Sequence, residues 1–398
     1  NHLTASKLSL PLDASSGHEC IFRHLFDWRD VVQLDSVELS KKPLGGESPQ
    51  SDPEHATRLT YTIQKGKRMA NPVDMVEVWR GDMRECVHQG HAVVCDDTGQ
   101  VIESWGDPNA MIYPRSSCKM VQALPLLESG AGAHLSSEQL ALACASHNGA
   151  AIHTTRVQAW LKDLDLSDDA FRCGPQVPDD KDARFALIRG HEQPCQMHNN
   201  CSGKHAGFLT LNKHLGGDAD YDLISHPVQQ ACKAAFEEVT EETSPGYGID
   251  GCSAPSHACT VHGLARAMSF FATAGERSDN RSLAAHKLAG AMMAHPELVA
   301  GEKRACTDLM RAMDHKVAVK TGAEGVFIAI VPEKRIGIAL KIADGATRAS
   351  EAAVTALLVK YGVLDANHTA AKARMNPQIK NRRDLVTGFI RPAATLGV

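Results

Sequence analysis

A serine and a lysine three residues apart, Ser116 and Lys119, are the first pair in this chain whose side chains could carry out chemistry together. They stand where a helix at 118–129 is predicted to begin, which places both side chains on one face, one turn apart. A serine hydroxyl becomes a nucleophile when a neighbouring base accepts its proton, and a lysine whose pKa is lowered can be that base. Alone, however, Ser-x-x-Lys most often marks a capping serine and a solvated lysine.

Two further motifs follow in chain order: Ser146-His-Asn148 after a predicted helix, and Lys320-Thr-Gly322 at the end of a predicted strand. With Ser-x-x-Lys they form the motif set that serine β-lactamases and penicillin-binding proteins share. Each motif alone is weak evidence, since Ser146 could be a helix cap and Lys320 an ordinary surface lysine. Their occurrence together, in this order and in the expected helix, loop and strand, predicts an enzyme of serine acyl transfer.

The chemistry gives each member of the set a role. Ser116 would attack a carbonyl carbon while Lys119 accepts its proton. Ser146 could pass a proton to the leaving amine. Lys320 would add a positive charge that keeps Lys119 neutral and attracts a carboxylate. Backbone N–H groups at Ser116 and beside the Lys-Thr-Gly strand would stabilise the oxyanion, so the set predicts a covalent acyl-enzyme.

The elements that must position these residues follow an α/β (α+β) pattern, with strands at both ends and helices between them. Strands are predicted at 76–80, 90–95 and 101–105, with a hairpin turn at 96–99, and again at 317–320, 326–331 and 336–342. Helices are predicted at 118–129, 137–144, 154–164, 228–240, 259–274, 281–294 and 346–361, and long loops at 172–196 and 242–256. The first and last strands can therefore share one antiparallel sheet flanked by helices, with a helical subdomain between them.

Composition predicts a soluble enzyme that acts on a small molecule. The chain has 398 residues, of which 43% are hydrophobic and 22% charged, and its formal net charge is −5. It has no polybasic segment for nucleic acid or an anionic membrane, no apolar run of the roughly 18–20 residues that span a bilayer, and no secretory signal pattern. Its 12 cysteines lack the spacing of a disulfide scaffold, so we expect reduced thiols and a cytoplasmic location.

The first 70 residues differ in composition from the rest of the chain. The segment 43–53 is rich in Pro, Gly and Ser and has few large apolar side chains, which favours a flexible chain. Met69 lies shortly before the first predicted strand and is a plausible natural start. We therefore expect residues 1–70 to be a flexible, non-catalytic N-terminal extension and residues 71–398 to form a single catalytic domain.

Longer stretches around the motifs resemble the L-asparaginase II family of rhizobial-type enzymes. The resemblance covers about residues 71–392 and rests on seven stretches: Asn71-Pro-Val, Pro114-Arg-Ser-Ser-Cys-Lys, Ala145-Ser-His-Asn-Gly, His198-Asn-Asn-Cys-Ser-Gly-Lys-His-Ala-Gly207, Gly248-Ile-Asp-Gly-Cys-Ser-Ala-Pro255, Val319-Lys-Thr-Gly-Ala-Glu-Gly325 and Gly388-Phe-Ile-Arg-Pro392. The first 70 residues match nothing in the family. What the family implies therefore concerns the predicted catalytic domain alone.

The resemblance implies hydrolysis of L-asparagine to L-aspartate and ammonia, on a serine β-lactamase/penicillin-binding-protein-like fold. It assigns the nucleophile to Ser116, with Lys119, Ser146 and Lys320 around it. Substrate contacts are implied for four further residues: Arg115, Asn148, His205 and Asp250. Of these, Asp250 is the candidate that holds the substrate α-amino group. A homodimer is also implied.

A zinc ion is the implied cofactor, with Cys201, Lys204 and Cys252 as its ligands. The spacing of Cys201 and Lys204 places a thiolate and an amine one turn apart, and Cys252 would reach them from a Gly-rich loop. Thiolates suit Zn²⁺ and a water could be the fourth ligand, but a lysine ligand must be neutral. From the residues alone, buried cysteine is the commoner explanation. The zinc is expected to position substrate rather than to form the nucleophile.

Three alternatives remain open at this point. Glutaminase activity is the nearest, because one methylene group separates the two substrates and is worth only about 1–3 kcal/mol in a pocket. A penicillin-recognising peptidase or β-lactamase would use the same motif set on substrates outside the cytoplasm. A catalytically silent zinc-binding protein would keep the fold, but the presence of both Ser116 and Lys119 argues against it.

Overall fold

The computed structural model describes residues 71–398, so the predicted extension at residues 1–70 lies outside the described part of the chain. Its strands are β1 (Val73–Arg80), β2 (Met83–Cys95), β3 (Val101–Trp105), β4 (Met111–Ile112), β5 (Tyr247–Ile249), β6 (Pro255–His257), β7 (Cys259–Thr260), β8 (Ala318–Thr321), β9 (Val326–Val331), β10 (Ile336–Ile342), β11 (Gln378–Lys380) and β12 (Val386–Pro392).

The helices lie mainly between the two groups of strands. They are α1 (Lys119–Gln122), α2 (Leu124–Glu128), α3 (Ser137–Ala143), α4 (Ala151–Asp163), α5 (Lys181–Gly190), α6 (Ser202–Leu215), α7 (Pro227–Thr240), α8 (Val261–Ala272), α9 (Asn280–Ala294), α10 (Pro296–Val299), α11 (Ala305–Ala312), α12 (Thr347–Lys360) and α13 (Thr369–Met375). No helix within residues 71–398 is both long and apolar enough to cross a membrane.

An eight-stranded antiparallel sheet joins the two ends of the described chain. Its order is β11-β12-β1-β2-β10-β9-β8, and β3 pairs with β2 beside this path. The early strand β2 pairs directly with the late strand β10, with Ala92 opposite Leu340 and Val94 opposite Ile338. The prediction that the first and last strands share one antiparallel sheet is therefore confirmed.

The centre of the sheet is covered on both faces. Every residue of β9 is buried, and all but one residue of β10 is buried, as their continuous apolar sequences require. The helices α8 and α12 both pack on these two strands. Gly337 in β10 permits the close approach of α8, since a Cβ atom there would lie 2.1 Å from Ser269 N. The core of the domain thus lies between α8, the sheet and α12.

The α+β architecture, with helices flanking an antiparallel sheet and a helical region in the middle, is as predicted. The hairpin turn also forms as predicted, because the Asp96 carboxylate accepts hydrogen bonds from Thr98 N and Gln100 N, and Gly99 adopts a φ of 78°. Helix α3 begins at Ser137, as predicted, and its N-cap is Ser136, which forms a capping box with Gln139.

The structure differs from the predictions at four places. The predicted helix at 118–129 is a 3-10 turn at Arg115–Cys118 followed by the two short helices α1 and α2, and Pro125 lies in the first turn of α2. The predicted loop at 172–196 contains helix α5, which buries none of its residues and therefore lacks a clear apolar face. Strands β11 and β12 complete the sheet beyond the last predicted element. The predicted loop at 242–256 likewise contains the short strand β5 and the start of β6.

Candidate active site

The Ser-x-x-Lys motif lies on a tight turn that leads from β4 into α1. Ser117 closes this turn, because both its backbone N–H and its side-chain hydroxyl donate to Pro114 O, at 3.2 Å and 2.7 Å. Arg115 has a φ of 54°, in the left-handed region, which costs a non-glycine residue on the order of 1 kcal/mol. Ser116 follows and is half-buried. A strained turn thus presents the predicted nucleophile.

Lys119 connects this turn to two other parts of the site. Its side chain is buried, and Nζ donates to Ala145 O at 2.5 Å and to Cys201 Sγ at 3.0 Å. Ala145 directly precedes Ser146, and Cys201 is a predicted zinc ligand. Within residues 71–398 no hydrogen bond joins Lys119 Nζ to the Ser116 hydroxyl; in ligand-free enzymes such contacts often tighten only when substrate binds.

The loop that carries Ser146 and Asn148 is held by its backbone. Ser146 N donates to Val299 O at 2.9 Å, and His147 N donates to Asn200 O at 3.1 Å. The Asn148 side-chain oxygen accepts a hydrogen bond from Ala150 N at 3.3 Å. Ser146 Oγ is buried and has no hydrogen-bond partner in the described part of the chain. A buried hydroxyl without a partner is unfavourable, which is consistent with a partner that arrives with the substrate.

The Lys-Thr-Gly motif ends β8 and presses against the turn of Ser116. A Cβ atom at Gly322 would lie 2.6 Å from Pro114 O and 3.2 Å from Ser117 N, so only glycine fits this contact. Lys320 is buried, and its Nζ donates to Thr321 O at 2.9 Å. The three motifs therefore meet at one place: Gly322 contacts the nucleophile turn, and Lys119 contacts the residue before Ser146.

The charge of Lys320 differs from the sequence-based expectation. Burial, and next to it the positive charge of Lys119, lowers the pKa of Lys320 from 10.5 to about 7. Lys320 is thus partly deprotonated at neutral pH, whereas the motif was expected to supply a full positive charge. The cause is that the fold encloses the lysine completely and places no carboxylate of residues 71–398 in ion-pair contact with it.

The three predicted zinc ligands lie together. Lys204 Nζ donates to Cys252 Sγ at 3.1 Å, and Lys119 Nζ donates to Cys201 Sγ at 3.0 Å. The neighbouring Cys201 thiol and the positive charge of Lys204 lower the pKa of the Cys252 thiol well below its ordinary value, while the pKa of Cys201 is raised. Burial opposes a charge on Lys204, but the two sulfurs outweigh it and raise the pKa of its ammonium. The cluster is therefore built around one buried thiolate.

His205 lies beside this cluster and leads to a residue that sequence reasoning missed. His205 Nδ1 lies 2.8 Å from the Tyr221 hydroxyl, whose oxygen accepts a hydrogen bond from Arg172 N at 2.9 Å. Burial lowers the pKa of His205, and its Nε2 has no hydrogen-bond partner among residues 71–398. Tyr221 is fully buried, and no motif marks it in the sequence. It positions a predicted substrate-binding histidine.

Two of the predicted substrate residues are paired with each other. Arg115 Nε and Nη2 donate to Asp250 Oδ1 at 3.0 Å and 2.7 Å. Burial lowers the pKa of Arg115, but the carboxylates of Asp250 and Glu324 outweigh this and raise it overall. The Asp250 carboxylate also accepts from Gly251 N at 2.8 Å. Asp250 is therefore held in place, with its negative charge largely balanced by Arg115.

The donor set fits a zinc ion in its chemistry. Residues 71–398 contain no group of three or more His, Cys, Asp or Glu side chains that could hold a metal. The predicted set is of a different kind, because it has two thiols and a lysine amine as its third donor. Two adjacent sulfurs, one of them a thiolate, suit Zn²⁺. Lys204 would have to lose the proton that the thiolate now stabilises, which a metal can enforce.

The predicted family is confirmed. A sequence model of the L-asparaginase II family matches residues 76–392. The chain belongs to the L-asparaginase II family. The match begins and ends close to the resemblance predicted for about residues 71–392, and it includes every candidate site residue. No curated protein matches this chain.

Several solved structures are similar to this chain at low identity. Mglu in its native form is 10% identical with a TM-score of 0.41, and the match covers 70% of this chain and 66% of Mglu, just under two thirds of its length. A beta-lactamase from Mycobacterium bovis is 13% identical with a TM-score of 0.30, covering 68% and 94% of the two chains. An octameric penicillin-binding protein homologue from Pyrococcus abyssi is 11% identical, TM-score 0.30, covering 68% and 73%. These values are too low to inform on activity.

Proposed function

We propose that this protein hydrolyses the side-chain amide of L-asparagine through a Ser116 acyl-enzyme. Membership of the L-asparaginase II family supports an amidohydrolase. The observation that carries the proposal is the meeting of three motifs: Gly322 packs on the turn of Ser116, and Lys119 Nζ lies 2.5 Å from Ala145 O, beside Ser146. This meeting supports the assignment of a nucleophile, a base and a proton donor to the leaving group within one site.

The reaction has two steps. The Ser116 hydroxyl oxygen bonds to the amide carbon as its proton passes to the amine of Lys119, and backbone N–H groups at Ser116 and beside the Lys-Thr-Gly strand stabilise the oxyanion. The C–N bond then breaks as Ser146 passes a proton to the departing ammonia. Water attacks the resulting ester, L-aspartate leaves, and Ser116 regains its proton.

Other side chains hold the substrate. We assign the α-ammonium group to Asp250, which Arg115 holds in place, and Asn148 and His205 stay predicted substrate contacts. Cys201, Lys204 and Cys252 would hold a zinc ion, which when bound supplies a fixed positive charge that positions the substrate. A homodimer and a cytoplasmic location stay predictions from the family resemblance.

The decisive experiment measures ammonia release from L-asparagine and L-glutamine by the wild type and two serine variants. We expect release from L-asparagine, with kcat/KM for L-glutamine lower by about 10–200-fold. Ser116→Ala should lower kcat by about 10⁴-fold or more. Ser117→Ala is the matched control, since this hydroxyl is occupied by Pro114 O, and we expect it to retain activity within about tenfold.

Two outcomes would overturn the proposal. Folded wild-type protein that releases ammonia from neither amide would exclude the asparaginase activity, and acylation of Ser116 by a β-lactam, detected by mass spectrometry, would then favour the penicillin-recognising alternative. An active Ser116→Ala variant beside an inactive Ser117→Ala variant would show that Ser116 is not the nucleophile and would point to Ser117 instead.

A further inference from the structure

The cations around the candidate active site differ in whether they have an anionic partner. Arg115 is paired with Asp250, and Lys204 donates a hydrogen bond to the Cys252 sulfur. In the part of the chain that the structure describes, no carboxylate lies in ion-pair contact with Lys119, Lys320 or Arg304. One side of the site therefore carries positive charge that the protein itself does not balance.

Arg304 is held between two of the catalytic motifs by its neighbours in the chain. Val299 O accepts the hydrogen bond from Ser146 N, and a Cβ atom at Gly301 would lie 2.5 Å from the Asn148 side chain. Cys306 Sγ accepts a hydrogen bond from Thr321 N at 3.3 Å. The segment 299–306 thus contacts the Ser-x-Asn loop at one end and the Lys-Thr-Gly strand at the other, with Arg304 at the start of α11.

The side chain of Arg304 is half-buried and forms neither a hydrogen bond nor an ion pair with any residue from 71 to 398. Burial is the main cause that lowers the pKa values of Lys320 and His147. The positive charge of the Arg304 guanidinium is a smaller cause that acts in the same direction on both. The Arg304 guanidinium therefore interacts electrostatically with one residue of the Lys-Thr-Gly motif and one of the Ser-x-Asn motif.

The carboxylates beside α11 make no ion-pair contact with this arginine. Glu351 and Asp308 both pair with Arg374, at 3.1 Å and 2.7 Å. Burial raises the pKa of Glu351 although the charges of Arg374 and Arg304 oppose this, so Glu351 lies near Arg304 while its ion pair is with Arg374. A half-buried guanidinium whose neighbouring carboxylates are already taken is poised for an anion that comes from outside.

We propose that Arg304 binds the α-carboxylate of the amino-acid substrate, with the ammonium of Lys320 on the same side. A guanidinium can donate two parallel hydrogen bonds to a carboxylate, which fixes both position and orientation. Asp250 lies on the paired side of the site and takes the α-ammonium group. The α-carboxylate of the substrate is then bound by Arg304 and its α-ammonium group by Asp250, on two sides of the site. This inference rests on the proposed function, and it restricts the substrate to amides with a free α-carboxylate.

The test combines a truncated residue with a truncated substrate. Arg304→Gln removes the charge, and 3-aminopropanamide is L-asparagine with hydrogen in place of the α-carboxylate. We expect Arg304→Gln to raise KM for L-asparagine about 100-fold with little change in kcat, and to leave kcat/KM for 3-aminopropanamide within about threefold. Arg304→Lys should recover part of the KM. Lys303→Gln, which removes an exposed positive charge from the adjacent residue, is the matched control and should change neither substrate.

The outcomes separate this inference from the proposed function. An equal loss with both substrates would mean that Arg304 acts structurally, and it would overturn the inference, as would a wild type that does not discriminate between the two substrates. If the wild type releases no ammonia, the proposed function fails, and calorimetric titration with L-asparagine decides about Arg304. Binding weakened tenfold or more by Arg304→Gln would support the assignment; unchanged or undetectable binding would overturn it.

Discussion

Two sides of the candidate active site treat positive charge in opposite ways. On the paired side, Arg115 donates two hydrogen bonds to Asp250, and Lys204 donates to the Cys252 thiolate. On the unpaired side, Lys320 and Arg304 have no anionic partner among residues 71–398. The two sides contain the same residue types, so the difference lies in their partners.

The two buried lysines show what this difference does. Both are almost fully enclosed, yet the pKa of Lys204 is raised and that of Lys320 is lowered to about 7. Burial opposes the charge in both cases, but only Lys204 donates a hydrogen bond to a sulfur whose pKa is lowered, that of Cys252. The unpaired side is therefore destabilising in the empty enzyme and prepared for a carboxylate. Such cost at a functional site is common, because residues are selected there for activity at the expense of stability.

The largest test of this comparison is Lys320→Met. The pKa of Lys320 is about 7 in the folded protein, and its ordinary value in the unfolded chain is 10.5. The buried charge therefore lowers the free energy of unfolding by its full amount below pH 7. This cost fades as the pH rises from 7 to about 10.5, because the folded lysine is then neutral while the unfolded one is still protonated. We expect the variant to be inactive but more stable at pH 7. Its advantage in the free energy of unfolding should shrink by up to about 1.4 kcal/mol per pH unit between pH 7 and 10.

Urea denaturation of both proteins at several pH values measures this advantage. Lys316→Met, at an exposed lysine shortly before β8, is the matched control and should show no such slope. A Lys320→Met variant that is less stable than the wild type at pH 7 would contradict the unpaired state of this lysine. It would show that an anionic group balances Lys320 after all.

The second test disrupts the contact between the strand that carries Lys320 and the turn that carries Arg115. Gly322 lies where the strand of Lys320 meets the turn of Arg115 and Ser116, and a Cβ atom there would collide with Pro114 O at 2.6 Å. We expect Gly322→Ala to lower the free energy of unfolding by about 1–3 kcal/mol and to reduce kcat more than tenfold. Gly290→Ala is the control, because this glycine lies in helix α9 with no atom near its Cβ position, and alanine there should stabilise by about 0.5–1 kcal/mol.

If Gly322→Ala keeps both its stability and its activity, then the strand and the turn are not in tight contact, and the meeting of the motifs loses its main support. Thermal unfolding and steady-state ammonia release together distinguish these results.

How much the sequence could predict depended on whether a signal was local. Strands β9 and β10 have the predicted bounds because each is a short apolar run between turn residues. The three motifs were recognised because each is only three or four residues long. Helix α5 was missed since none of its residues is buried, so no apolar stripe marks it.

The charges of the site could not be predicted, because their partners lie far apart in the sequence. Arg115 and Asp250 are 135 residues apart, and nothing local indicates that they pair. The lowered pKa of Lys320 depends on complete burial and on Lys119, both of which arise only in the folded protein. For the same reason Arg304 carries no motif, although its neighbours contact two motifs. The sequence could therefore predict which residues belong to the candidate site, but it could not predict their protonation states.

The smallest expected effect comes from breaking the paired side. Asp250→Asn keeps the shape of the side chain but removes the charge that balances Arg115. Because the Arg115 guanidinium would then be half-buried without a counter-ion, we expect the free energy of unfolding to fall by about 1–2 kcal/mol, opposite in sign to Lys320→Met. KM for L-asparagine should rise at least tenfold as the α-ammonium loses its partner.

An exposed ion pair provides the matched control for this last change. Arg335 and Asp97 lie 2.5 Å apart with side chains 51% and 36% exposed, and Asp97→Asn should cost less than about 1 kcal/mol and leave KM unchanged. If Asp250→Asn were as mild as Asp97→Asn in both stability and KM, the Arg115–Asp250 pair would be an ordinary surface contact. The contrast between a paired and an unpaired side would then reduce to the buried lysines alone, and the substrate ammonium would need another partner.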